Sequence, residues 1–139
     1  MSTKTSAAAI ACALAAGSVM FSAPAASAAA YCDSSGYTAS NIPMERCTTL
    51  SNGIVYHRKS LSGSTTYIYT TYSKTGGSSV SVRLGYSMGT STVYSSYFTI
   101  SSGQTVQKSF TKAGDYYCSS SVGLLNYSGG TFQTPAAHC

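Results

Sequence analysis

Asp33, Glu45 and Asp115 are the chain's only carboxylates, and His57 and His138 its only imidazoles. These residues must supply any acid–base chemistry. A glycosidase-type acid and base would have to be drawn from three carboxylates, one of them beside Cys32. A serine nucleophile would need one of the two histidines as a base oriented by a carboxylate. His57 is instead followed by Arg58 and Lys59, and His138 sits beside Cys139. The carboxylates are therefore read as turn and cap residues, and the chain is expected not to be an enzyme. With no C-x-x-C pair and two histidines, zinc lacks a ligand set, and the Gly-rich stretches lack the lysine and helix of a phosphate loop. Neither a metal nor another cofactor is expected.

Cysteine usage sets the compartment. Residues 1–30 read as a signal peptide, with Lys4 as its positive charge, Ala7 to Ala16 as its apolar run and small residues at the cleavage site. The run is too short to span a membrane, which takes roughly 20 apolar residues. Export leaves Cys32, Cys47, Cys118 and Cys139, an even set in an oxidising environment, and hence two disulfides. Pairing Cys32 with Cys47 and Cys118 with Cys139 is favoured because each bridge pins one end of the chain. A Cys47–Cys118 bridge is the rival. Residues 31–139 are expected to form one secreted, extracellular domain without a membrane span.

Composition and periodicity give the elements that position these residues. Only 8% of the 139 residues are charged, the formal net charge is +5, and there are 12 Tyr and 13 Gly but no Trp. The basic residues are scattered, which argues against a nucleic-acid face. After Gly53 the chain is a series of short runs rich in Val, Ile, Thr and Tyr, broken by Gly and Ser. Runs over 53–58, 65–73, 78–86, 90–100, 104–111 and 114–125 predict strands, and a last short segment follows. Val80, Val82, Leu84 and Tyr86 alternate with polar residues, the mark of a half-buried strand. Lys74-Thr75-Gly76-Gly77 reads as a hairpin turn. The expected fold is all-β: a single small antiparallel β-sandwich with two disulfides.

The same reading marks a binding surface. Alternation puts Tyr67 and Tyr69 on one face of their strand and Ile68 and Tyr72 on the other. The segment 31–46 carries Tyr31, Tyr37, Ile42, Pro43 and Met44 without a core pattern. Pro43 disfavours helix at Ile42, so this segment is expected to be an extended docking arm. Tyrosine with Ser, Thr and Gly gives rigid amphipathic contact area and adaptable hydrogen bonding. The expected role is a secreted, non-catalytic protein-interaction module. The alternatives are an inhibitor of a protease or glycosidase presenting residues 42–46, and a carbohydrate-binding domain using stacked tyrosines.

Cys32 followed by Gly36-Tyr37, the tyrosine-rich strands, the late Cys118 and the terminal His138-Cys139 resemble small secreted actinobacterial proteins. Two groups share these features: the small adaptor subunit of umbrella toxin particles and the spore-associated protein A type. The first resemblance implies a non-enzymatic adaptor between a lectin subunit and a large toxin subunit.

Overall fold

The computed structural model describes residues 30–139. The signal-peptide reading therefore lies outside the described residues, apart from Ala30. Nine strands follow in order: β1 (Glu45–Leu50), β2 (Gly53–Ser62), β3 (Thr65–Lys74), β4 (Val80–Met88), β5 (Ser91–Tyr94), β6 (Phe98–Ile100), β7 (Thr105–Ala113), β8 (Ser121–Tyr127) and β9 (Gly130–Gln133). They form two packed antiparallel sheets. The first has the order β1-β2-β3-β7; in the second β5-β4-β8-β9, β6 continues the line of β5 along the same edge of β4.

Local sequence explains most of this. In β3 every second residue from Thr66 to Lys74 is buried, so Ile68 and Tyr72 enter the core while Tyr67 and Tyr69 face outward, as alternation predicts. In β4, Val82, Leu84 and Tyr86 point inward. Val55, Tyr72, Val82, Leu84, Ile100 and Leu125 form the main apolar cluster, and Ile68, Tyr86 and Met88 a second one. At the far edge of the first sheet, β7 places Lys108 over the Phe98 ring and Lys112 over the Tyr116 ring.

Several expectations are corrected. Lys74–Gly77 does not close a hairpin, because β3 and β4 belong to different sheets. The end of β3 instead exchanges hydrogen bonds with Gly103 and Gln104, while the amides of Thr75 and Gly76 reach the Asn52 carbonyl, so the chain crosses between sheets. The run 90–100 divides into β5 and β6, and the regular strand expected from Gly114 begins only at Ser121. Up to the start of β1, segment 31–46 folds through three tight turns, closed by the amides of Gly36, Asn41 and Glu45 on the carbonyls of Asp33, Thr38 and Ile42, rather than forming an extended arm. The Asp33 carboxylate accepts from the Ser35 and Tyr37 amides, each at 2.8 Å, and Asn41 takes a φ of 53°.

The disulfides are Cys32–Cys47 and Cys118–Cys139, both at bonding distance. The rival Cys47–Cys118 bridge is thereby ruled out.

Between the two apolar clusters the core is polar. The inner face of β2 carries Val55, His57 and Lys59, and the last two are 1% and 4% exposed. His57 Nε2 is hydrogen-bonded to Ser121 Oγ at 2.8 Å and Nδ1 lies 3.4 Å from Thr70 Oγ1, which donates to the Gly85 carbonyl at 2.8 Å. Gly123 makes room for this imidazole, since a Cβ there would lie 2.6 Å from that of His57. The Lys59 ammonium donates to the carbonyls of Ser119 and Ala137. Among the described residues, no buried side-chain nitrogen or oxygen lacks a partner.

Burial, with Lys59's charge adding to it, pushes the His57 imidazole down from 6.5 to about 3. Burial alone lowers Lys59 to about 8. Between pH 6.5 and 3 the unfolded chain binds a proton at His57 that the folded chain refuses, so stability falls as pH falls through that window. The loss has an upper bound of roughly 5 kcal/mol. Urea denaturation midpoints should decline from pH 6.5 to 3, and His57→Gln should flatten this decline. An imidazole signal for His57 that titrates near pH 6.5 in the folded protein would contradict the assignment.

Candidate interaction face

Register builds one surface from distant residues. Paired residues in adjacent strands share a face, so the outer side of the first sheet carries the row Glu45, Arg58, Tyr69 and Ser109, with a second row of Cys47, Tyr56, Thr71 and Gln107 beside it. Ser60, Tyr67 and Thr111 form the next row on the other side. The Arg58 guanidinium lies over the Tyr69 ring, 4.5 Å from its centroid.

Because Cys47 belongs to this face, its bridge to Cys32 brings the N-terminal turns onto it. Tyr31, 53% exposed, stands with Thr38 and Ser40 as a wall beside the floor of Tyr56, Arg58 and Tyr69, and together they line an open pocket of about 300 Å³. Glu45 holds that wall: its Oε2 accepts from Ser40 Oγ at 2.5 Å and Thr38 Oγ1 at 3.1 Å. Burial raises the Tyr56 phenol above its ordinary pKa, and the adjacent Tyr31 backbone partly opposes this.

Of the residues expected to bind a partner, Tyr31 and Tyr69 line this pocket and Tyr67 lies one row away. Ile42 and Pro43 are exposed but do not line it. Met44 is 4% exposed and belongs to the core, which corrects its place on the docking surface. Tyr37 pairs with Arg46, on the other face of the sheet. There Arg46 covers the Tyr37 ring at 4.1 Å and donates to the carbonyls of Ser35, Gly36 and Ala136. Tyr37 is thus part of a clamp joining the two ends of the domain. Arg58 and Tyr56 were not foreseen; only the β2–β3 register brings them beside Tyr69.

The carboxylates have local roles. Asp33 and Glu45 hold the N-terminal turns, and Asp115 accepts from the Tyr117 amide at 3.1 Å. His138 is exposed, with Nδ1 2.9 Å from the Cys139 backbone oxygen. Gly85-Tyr86-Ser87-Met88-Gly89 has the Gly-x-Ser-x-Gly spacing of a nucleophile elbow, contrary to the expectation from sequence that none is present. An elbow requires a strand-to-helix turn. Here the serine lies within β4, before its hairpin to β5, and bonds to Thr92 Oγ1 and the Ser91 carbonyl rather than to a histidine.

The second sheet carries a smaller cluster. Arg83 lies over the rings of Tyr94 and Tyr97, at 4.2 and 5.0 Å, and both Arg83 Nε and the Tyr97 hydroxyl donate to Asn126 Oδ1.

These features define the class: an all-β, two-disulfide antiparallel sandwich with aromatic–arginine pairs on the outer sides of both sheets. No protein-family model, curated protein or solved structure matches the chain.

The Cys32–Cys47 bridge closes a short loop, with a sequence separation of 15, so its removal should cost about 3 kcal/mol. In the C32S/C47S variant, hydrogen exchange should rise over residues 31–41 and stay slow in β3. Equal loss of protection in both would mean that the bridge supports the whole sandwich rather than this wall.

Proposed function

We propose that the protein is a secreted, non-catalytic interaction module that binds another exported protein through the outer side of its first sheet. The observation that carries this reading is the convergence of Tyr31, Tyr67, Tyr69 and Arg58 on one face. Tyrosine and arginine are enriched among the residues that dominate protein–protein binding energy, and a tyrosine held in place loses little entropy on binding.

Two details favour a protein over the alternatives. A sugar-binding platform needs open ring faces, and Arg58 covers one side of Tyr69. An inhibitor needs a protruding loop, whereas Met44 is buried and Glu45 and Arg46 belong to β1. The resemblance to umbrella-particle adaptors gives the specific form of the proposal, in which the partners are a lectin and a large toxin subunit.

The test is co-purification from the producer's culture medium with tagged protein. Wild type should retain a defined partner; Tyr69→Ala combined with Arg58→Glu should weaken capture at least about tenfold while the melting temperature holds. Undiminished capture by the double variant would overturn the assignment of this face. Binding on a glycan array that is abolished by Tyr69→Ala would replace the protein partner with a carbohydrate.

A further inference from the structure

A second pocket, of about 230 Å³, lies away from the face described above and reaches between the two sheets. Its floor is the main core cluster itself, through Tyr72, Val82 and Leu125. Leu50 and Phe132 line its sides, and Phe132 is exposed, stacked on Tyr127 with ring centroids 5.8 Å apart. Lys74 also lines it. That lysine is 3% exposed, the innermost position of its strand end, and its ammonium donates to the Gly76 carbonyl. None of the chain's three acidic side chains lines this pocket.

An ammonium is a strongly hydrated group, and burying one without an opposite charge is costly. A backbone carbonyl satisfies one of its three donors and none of its charge. The lining combines the apolar side chains of Leu50, Val80, Val82, Leu125 and Phe132 with the polar ones of Ser51, Asn52 and Ser78, so an occupant that buries hydrocarbon against the former and keeps a polar head is favoured. At the ~30 Å³ that a water-sized unit occupies, this volume holds roughly eight heavy atoms, so a molecule the size of octanoate fills it and reaches its open mouth.

We infer that this pocket binds a small amphipathic monoanion, a medium-chain carboxylate, with its hydrocarbon tail on Tyr72, Val82 and Leu125 and its carboxylate on the Lys74 ammonium. The site is independent of the protein-binding face and stands whether or not that reading holds.

Octanoate and octanol are the probes, read by methyl and backbone chemical shifts of the intact protein. Octanoate should cause saturable shifts at Leu50, Val82 and Leu125, and octanol should bind about tenfold more weakly because it lacks the charge for Lys74. Lys74→Met keeps the apolar stem and should erase the difference between the two probes. If that variant fails to fold, Leu50→Trp, which fills the pocket from its side, should abolish octanoate binding while leaving the protein folded. Absence of saturable shifts with octanoate overturns the site. Equal binding of octanoate and octanol by wild type overturns the role of Lys74. Shifts that persist undiminished in folded Leu50→Trp place the ligand elsewhere and overturn the proposal as well.

Discussion

The inner face of β2 constrains the rest of the sandwich, because it turns an imidazole and an ammonium into a core that has little water to offer them. A buried polar group without a partner costs several kcal/mol, so a fold that buries His57 and Lys59 must bring them acceptors and donors. The partners come from the start of β8, the stretch before it and the C-terminal tail, through Ser121, Ser119 and Ala137. Ser121 and Ala137 also exchange backbone hydrogen bonds at 3.1 and 2.8 Å, so the lysine fixes a tail that already runs beside β8.

Arg46 performs the corresponding task at the N-terminal side. Its planar guanidinium has five donors in a fixed fork, and here it spans Ser35, Gly36 and Ala136. With Cys32–Cys47 and Cys118–Cys139, this clamp leaves both ends of the domain bound to the strands that carry the aromatic face. The position of Tyr31 beside Tyr56 and Arg58 follows from that anchoring rather than from any preference of the N-terminal residues themselves.

Much of the architecture was legible in the sequence because apolar and polar residues alternate cleanly in β3 and β4. The cysteine pairing was legible from loop length. β1 was not, since Cys47 is buried on the outer face under a disulfide-linked turn and breaks the expected pattern. His57 and Lys59 were hidden for the opposite reason: polar residues at inward positions contradict the usual periodicity. Arg58 became part of the face only through cross-strand register, and Lys74–Gly77 has the composition of a hairpin turn although its backbone bonds lead to another sheet. The outward side of Tyr69 was legible from alternation along its strand, while the burial of Met44 depended on how the preceding turns fold.

The lysines of β7 bear on a different matter, the behaviour of the protein among copies of itself. β7 ends its sheet, and a terminal strand offers unpaired amides and carbonyls that can template a neighbouring chain into a growing fibril. Lys108 and Lys112 alternate with Val106 and Phe110 along one row of this strand, their ammonium groups over Phe98 and Tyr116, and its other row is Thr105, Gln107, Ser109 and Thr111. A second strand docking there would have to crowd like charges together and would gain no apolar stripe in return. The cations that cover two aromatic rings within one molecule thereby also act as gatekeepers against edge-to-edge polymerisation at high concentration.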